Sequence, residues 1–289
     1  MLSCTKESIR FFQMLNNLQN NDKFDLNLIT EVKVNDSKLA FAIFLDENLV
    51  LSALTDGDLV LYRRTGESFD LIDKKSVCSD YLSSIEILQL MDVTSTEFMI
   101  SAGCLDGYLR SFTISRDNLK INEKYSQKVS DARISALSFS NGYLLAGSDN
   151  SKAYLFKDGQ LLKTFTDHSW KINDVCILIP PFNQKESSEQ SSSVHTSLNG
   201  LVFATASSDK TVIIYTYGKD QHPNLNHLEE QKEENITKQV LNFTDSPFEL
   251  NFDLTSMVLT VAYGDKHVEC YLPNTDGQFV KTEIEEILE

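Results

Sequence analysis

Apolar and polar residues alternate with a period of two in short runs that end at turn residues, the pattern of strands with one buried face. One arrangement recurs along the chain: a short apolar strand, an acidic or polar residue in a turn, then an alternating strand with an aromatic six positions beyond the turn residue. Three copies are clear: Ser52-Ala-Leu-Thr-Asp56-Gly-Asp-Leu-Val-Leu-Tyr62, Ala102-Gly-Cys-Leu-Asp106-Gly-Tyr-Leu-Arg-Ser-Phe112 and Ala204-Thr-Ala-Ser-Ser-Asp209-Lys-Thr-Val-Ile-Ile-Tyr215. Three weaker copies keep the frame: Lys6 with Phe12, Asn150 with Phe156, and Asp265 with Tyr271. The turn positions 6, 56, 106, 150, 209 and 265 lie 50, 50, 44, 59 and 56 residues apart. Asp and Asn suit such turns because they tolerate left-handed backbone and bond their own main chain, and Gly supplies positive φ.

A further alternating strand precedes most units, as in Lys38 to Phe44, Ser84 to Leu90, Arg133 to Ser140, Lys171 to Leu178 and Pro247 to Asp253, and another follows, as in Phe24 to Thr30 or Gln160 to Phe165. Four strands per repeat make the blade of a propeller. The expectation is an all-β chain: one β-propeller domain over residues 1–289, with about six four-stranded blades, or seven. The first unit begins almost at its second strand, since Met1 to Thr5 supply only a stub, so its innermost strand is missing. Either the terminal segment Gln278 to Leu288 or a partner strand could complete it, because an open strand edge leaves backbone groups unpaired.

The chain resembles the WD-repeat family, most closely where Asp167-His168 stands at the family's Gly-His place, followed by Ser207, Asp209, Thr211-Val212, and Tyr215 at the place of Trp. The resemblance implies a structural relay in which Asp209 fixes His168 and His168 bonds the hydroxyl of Ser207. No repeat has Trp-Asp, Leu54 and Cys104 replace the Ser, and Lys6 and Asn150 replace the Asp, so the likeness points to a fold and not to a member. It further implies a docking scaffold whose loops before each first strand hold peptides or partner domains. By position these are Tyr81, Asp131, Trp170 and Asp245. Two placements of Trp170 stay open, an exposed anchor or packing between blades.

Charge narrows the partners. The 42 acidic and 26 basic residues leave a formal charge of −16, which repels nucleic acid and anionic membranes and favours protein partners with basic segments. Five scattered cysteines without a Cys-x-x-Cys pair suggest neither a disulfide framework nor a zinc site. With no apolar run near membrane-spanning length, the expected location is intracellular, in cytoplasm or nucleus. Residues 183–200 and 219–238 are polar and read as flexible insertions; the second holds His222 and His227, without a rigid element to make a metal site of them.

No nucleophile elbow, P-loop or zinc-protease motif occurs, and no acid–base pair stands out, so no catalytic residue and no cofactor are expected. Arg63-Arg64 in Leu61-Tyr-Arg-Arg-Thr-Gly66 looks somewhat like the paired arginines of phosphoinositide-binding propellers, but Thr65 interrupts the motif and the net charge opposes it. The scaffold reading therefore leads, ahead of a reader of basic or modified peptides, a phosphoinositide binder and a propeller-hosted hydrolase.

Overall fold

A computed structural model describes residues 2–4, 7–16, 24–33, 38–79, 81–88, 96–178, 201–217, 236–253 and 257–282. Lys6, the loop 183–200, residues 219–235 with His222 and His227, and the tail 283–289 lie outside the described residues. Within them the alternating pattern yields strands only.

The first compact unit, Met1–Val129, holds three sheets. They are β1 (Leu2–Cys4), β2 (Ser8–Asn16) and β3 (Phe24–Lys33); β4 (Leu39–Phe44), β5 (Leu49–Leu54), β6 (Asp58–Thr65) and β7 (Ser68–Ser76); and β8 (Leu82–Ile87), β9 (Glu97–Cys104), β10 (Tyr108–Ser115) and β11 (Ile121–Lys128). The second unit, Ser130–Glu289, holds three more. They are β12 (Ile134–Ser140), β13 (Tyr143–Ser148), β14 (Ala153–Lys157) and β15 (Gln160–Phe165); β16 (Ile172–Leu178), β17 (Val202–Ser207), β18 (Thr211–Tyr217) and β19 (Ile236–Asn242); and β20 (Pro247–Phe252), β21 (Leu259–Tyr263), β22 (His267–Pro273) and β23 (Phe279–Thr282). Every sheet is an antiparallel meander in chain order. Five have the four strands expected. The first has three among the described residues, with β1 at one side, which matches a unit that starts at its second strand. β19 begins at Ile236, so residues 236–238, assigned by composition to the insertion, are strand: Thr216 and Tyr217 of β18 pair with Thr237 and Ile236.

The repeat frame explains the meander. At each turn between the second and third strands, the residue after the marker has positive φ: Gly57, Gly107, Ser151, Lys210 and Lys266. The markers Asp56, Asp106, Asn150 and Asp209 each accept, on side-chain Oδ1, the backbone N–H two residues on, which closes the turn. One backbone bond then recurs five times, tying the end of the second strand to the residue before the first: Thr55 N to Lys38 O, Leu105 N to Tyr81 O, Asp149 N to Arg133 O, Ser208 N to Lys171 O and Gly264 N to Ser246 O. Asp265 is exposed in its turn.

The cores lie between successive sheets of a unit, not within one sheet. Leu51, Leu59, Ile100 and Phe112 join the second and third sheets of the first unit, and Leu155, Phe165, Phe203 and Tyr215 join the first and second of the other. The frame aromatics Phe112, Phe156 and Tyr215 are at most 2% exposed, as buried anchors of this stacking must be. Sheets approach so closely at Gly147 that a Cβ there would stand 2.6 Å from Ile172 Cγ2. Each inner strand also carries a bulge at its second residue, Ala40, Ser83, Ser135, Asn173 and Phe248, which bends it and re-aims that side chain.

Candidate protein-docking site

In the second unit the loop before β16 is fixed from beneath. His168 has a side chain 2% exposed, and both ring nitrogens are engaged: Nδ1 with Asp209 Oδ2 at 2.9 Å and Nε2 with Thr205 Oγ1 at 2.8 Å. Asp209 also accepts Ser169 N–H at 3.0 Å, Thr211 N–H at 3.0 Å and the Thr211 hydroxyl at 2.6 Å. Burial pushes its carboxyl up, but the bonds from Thr211, Ser169 and His168 outweigh this and hold it below the usual carboxylate range. The Tyr215 hydroxyl donates to Asp167 Oδ2 at 3.0 Å, and Lys238 Nζ pairs with Asp167 Oδ1 at 2.6 Å. Burial, with Asp167 beside it, raises the Tyr215 phenol.

One expected relay member is corrected. The hydroxyl bonded by His168 belongs to Thr205 and not to Ser207, because Ser207 is already spent at the strand end: its Oγ donates to the carbonyls of Trp170 and Lys171, both at 3.0 Å. Thr205 sits two residues back on the same face of β17, deep enough for Nε2 to reach. The clue in the sequence was a second hydroxyl at that spacing in Ala204-Thr-Ala-Ser. A histidine buried with both nitrogens committed holds the loop; it has no free nitrogen to take a substrate proton.

Above this relay stands Trp170, 63% exposed, so the exposed placement of the two is the one found. Asp131 and Asp245, in the loops before β12 and β20, are exposed as well. All three lie at one end of their inner strands, since each loop is bonded to the turn beside it and Ser246 Oγ donates to Ser208 O. Tyr81, in the other unit, is half-buried, its carbonyl accepting Leu105 N–H. Arg63 and Arg64 are consecutive strand residues of β6, so their side chains leave opposite faces; Arg64 Nε donates to Gly66 O. Among the described residues no three His, Cys, Asp or Glu side chains gather as a metal site, and no helix is long and apolar enough to cross a membrane.

Sheets of this kind, repeated in one frame with a His–Asp relay beneath a loop, define a class by fold: the WD40 β-propeller. The WD40 β-propeller domain of Doa1 is similar at a TM-score of 0.56 and 16% identity, over 85% of this chain and 68% of that one. A chain of the mitotic checkpoint complex is similar at a TM-score of 0.62 and 11% identity, over 96% of this chain and 75% of that one. No family model matches the sequence, and no curated protein matches it either.

Proposed function

We propose that the protein is a non-catalytic docking scaffold, a subunit of a multiprotein assembly, which binds a partner through the loop end that carries Trp170. The carrying observation is an indole 63% exposed on a loop held rigid by buried hydrogen bonds. A large amphipathic side chain on a loop fixed before binding suits an interface anchor, because little backbone entropy is lost when it docks. The similarity to a chain found within a checkpoint complex supports an assembly role. Asp131 and Asp245 beside the anchor, with a net charge of −16, favour a Lys- or Arg-rich partner segment, which keeps a reader of basic peptides as the second reading.

The test is purification of the tagged chain from its native cells at moderate salt, with stoichiometry by mass spectrometry, for wild type and Trp170→Ala. One near-equimolar partner, weakened about tenfold by the substitution, is the expected result. A folded chain with no stoichiometric partner, or one indifferent to Trp170, overturns the proposal.

A further inference from the structure

In the second unit each inner strand is tied to the next by its bulge residue. Ser135 Oγ of β12 donates to Ile172 O of β16 at 2.6 Å, and Asn173 Nδ2 of β16 donates to Pro247 O of β20 at 2.7 Å. Ile172 and Pro247 are equivalent, each being the first paired residue of its strand. A second bond follows each: Ile177 N–H to Ser138 Oγ at 3.1 Å, and Leu250 N–H to Asp174 Oδ2 at 2.7 Å. The same register places Phe248 and Glu249 of β20 where Asn173 and Asp174 stand in β16. Phe248 thus stands at the position that ties in both other strands and Glu249 at the one that ties in β16, and in β20 both are exposed, Phe248 by 50%. Asn251 is exposed too, whereas no residue of β12 or β16 is.

We propose that β20 seats one more inner strand: an extended, basic segment of a partner protein, laid beside β20 as β20 is laid beside β16. A backbone N–H of the segment is received by the Glu249 carboxylate, as Leu250 N–H is by Asp174, and an apolar residue covers Phe248. The occupant is basic because the site is acidic. Glu249 is exposed, β20 itself has no Lys or Arg, and Glu249 faces the field of Asp174 nearby. The segment is a strand because the positions it meets are those that elsewhere hold one. This inference rests on the scaffold reading but uses a surface other than that of Trp170.

The experiment pans the purified chain against a displayed library of random peptides of about eight residues, a typical strand length. Enriched peptides are synthesised and titrated on wild type, Phe248→Asp, Glu249→Lys and Trp170→Ala, with thermal melts to check folding and Phe248→Ser in reserve should the Asp variant melt early. Enrichment of basic peptides with alternating apolar residues is expected, their affinity falling about tenfold in either β20 variant and holding in Trp170→Ala. No enrichment, or peptides indifferent to both β20 variants, overturns the inference. Loss in Trp170→Ala alone overturns it while upholding the loop-end scaffold. Sedimentation showing a dimer that Phe248→Asp dissociates would give the position to a second copy, and a gain in peptide affinity on deleting residues 283–289 would give it to the chain's own tail; either overturns a partner strand.

Discussion

The sheets β12–β15 and β16–β19 meet the same demand with different chemistry. In both, the last residue of the second strand is a serine that staples the preceding loop: Ser148 Oγ donates to Arg133 O at 2.8 Å, and Ser207 Oγ to Trp170 O and Lys171 O. Four residues before the inner strand they part. There stands His168 in one sheet, reaching Asp209 and Thr205, and in the other Ser130, whose hydroxyl meets that of Ser148 at 2.8 Å and accepts the Ala132 N–H at 3.0 Å. Asn150, at the place of Asp209, turns its amide to the Tyr154 hydroxyl instead. The strand-end serine and the repeated backbone bond therefore suffice for the frame. The relay is an addition, and it occurs under the loop bearing Trp170, where the neighbouring sheet has Ala132.

Breaking the relay should cost most. His168→Ala leaves the buried Thr205 hydroxyl only its long bond to Ile213 O at 3.5 Å and takes one partner from Asp209, so a loss of about 3 kcal/mol is expected in urea unfolding. A loss under about 1 kcal/mol would show that the staple alone fixes the loop.

Next comes a contrast between two carboxylates of the same unit. Asp209 is held below its unfolded value, so its contribution is present above that value and is lost as pH falls through the folded one. Asp174 has the opposite sign: burial raises it from 3.8 to about 6, against the Leu250 and Val175 N–H bonds, with Glu249 adding to the rise. Its folded form holds a proton that the unfolded chain has released, so stability is fullest below the unfolded value and falls as pH rises from 3.8 through about 6. Asp174→Asn, whose one amide oxygen can serve the Leu250 or the Val175 N–H but not both, should flatten stability across that window, with the gain near pH 8 held to about 1 kcal/mol by the lost bond. An unchanged pH profile would place the rise elsewhere.

Much of this was legible in the sequence. Period-two runs give the strands, and the spacing of Asp56, Asp106, Asn150, Asp209 and Asp265 gives the turns, because both depend on local backbone needs. Trp170 beside His168 could be found but not placed, since exposure depends on the neighbouring sheet. Thr205 was missed because two hydroxyls, Thr205 and Ser207, share one face of β17, and only depth decides which meets the imidazole. Phe248 and Glu249 were invisible, because their meaning comes from comparing three inner strands in register. The β19 boundary was misplaced because Ile236 to Lys238 follow a polar run, and pairing with β18 overrides composition.

A smaller effect checks the lesser branch of the comparison: Ser130→Ala should cost about 1 kcal/mol, a third of the His168 loss, since Ser148 keeps its bond to Arg133 O.

The smallest effect separates turn strain from relay chemistry. The residue after the marker has φ of 85° at Gly57 and 81° at Gly107, but Ser151 and Lys210 hold 69° and 71°. A side chain in that region is disfavoured by about 1 kcal/mol, partly offset by the extra freedom glycine brings to the unfolded chain. Ser151→Gly should therefore stabilise by about 0.5 kcal/mol, keeping its N–H bond to Ser148 O. Lys210→Gly should gain less, because Lys210 Nζ also donates to Thr244 O. Gly57→Ala should lose about 1 kcal/mol by the same account. Thermal melts of the three variants that order otherwise would mean the turns are held by their markers and not by backbone preference, which would move the Asx bond of Asn150 and Asp209 from accessory to principal.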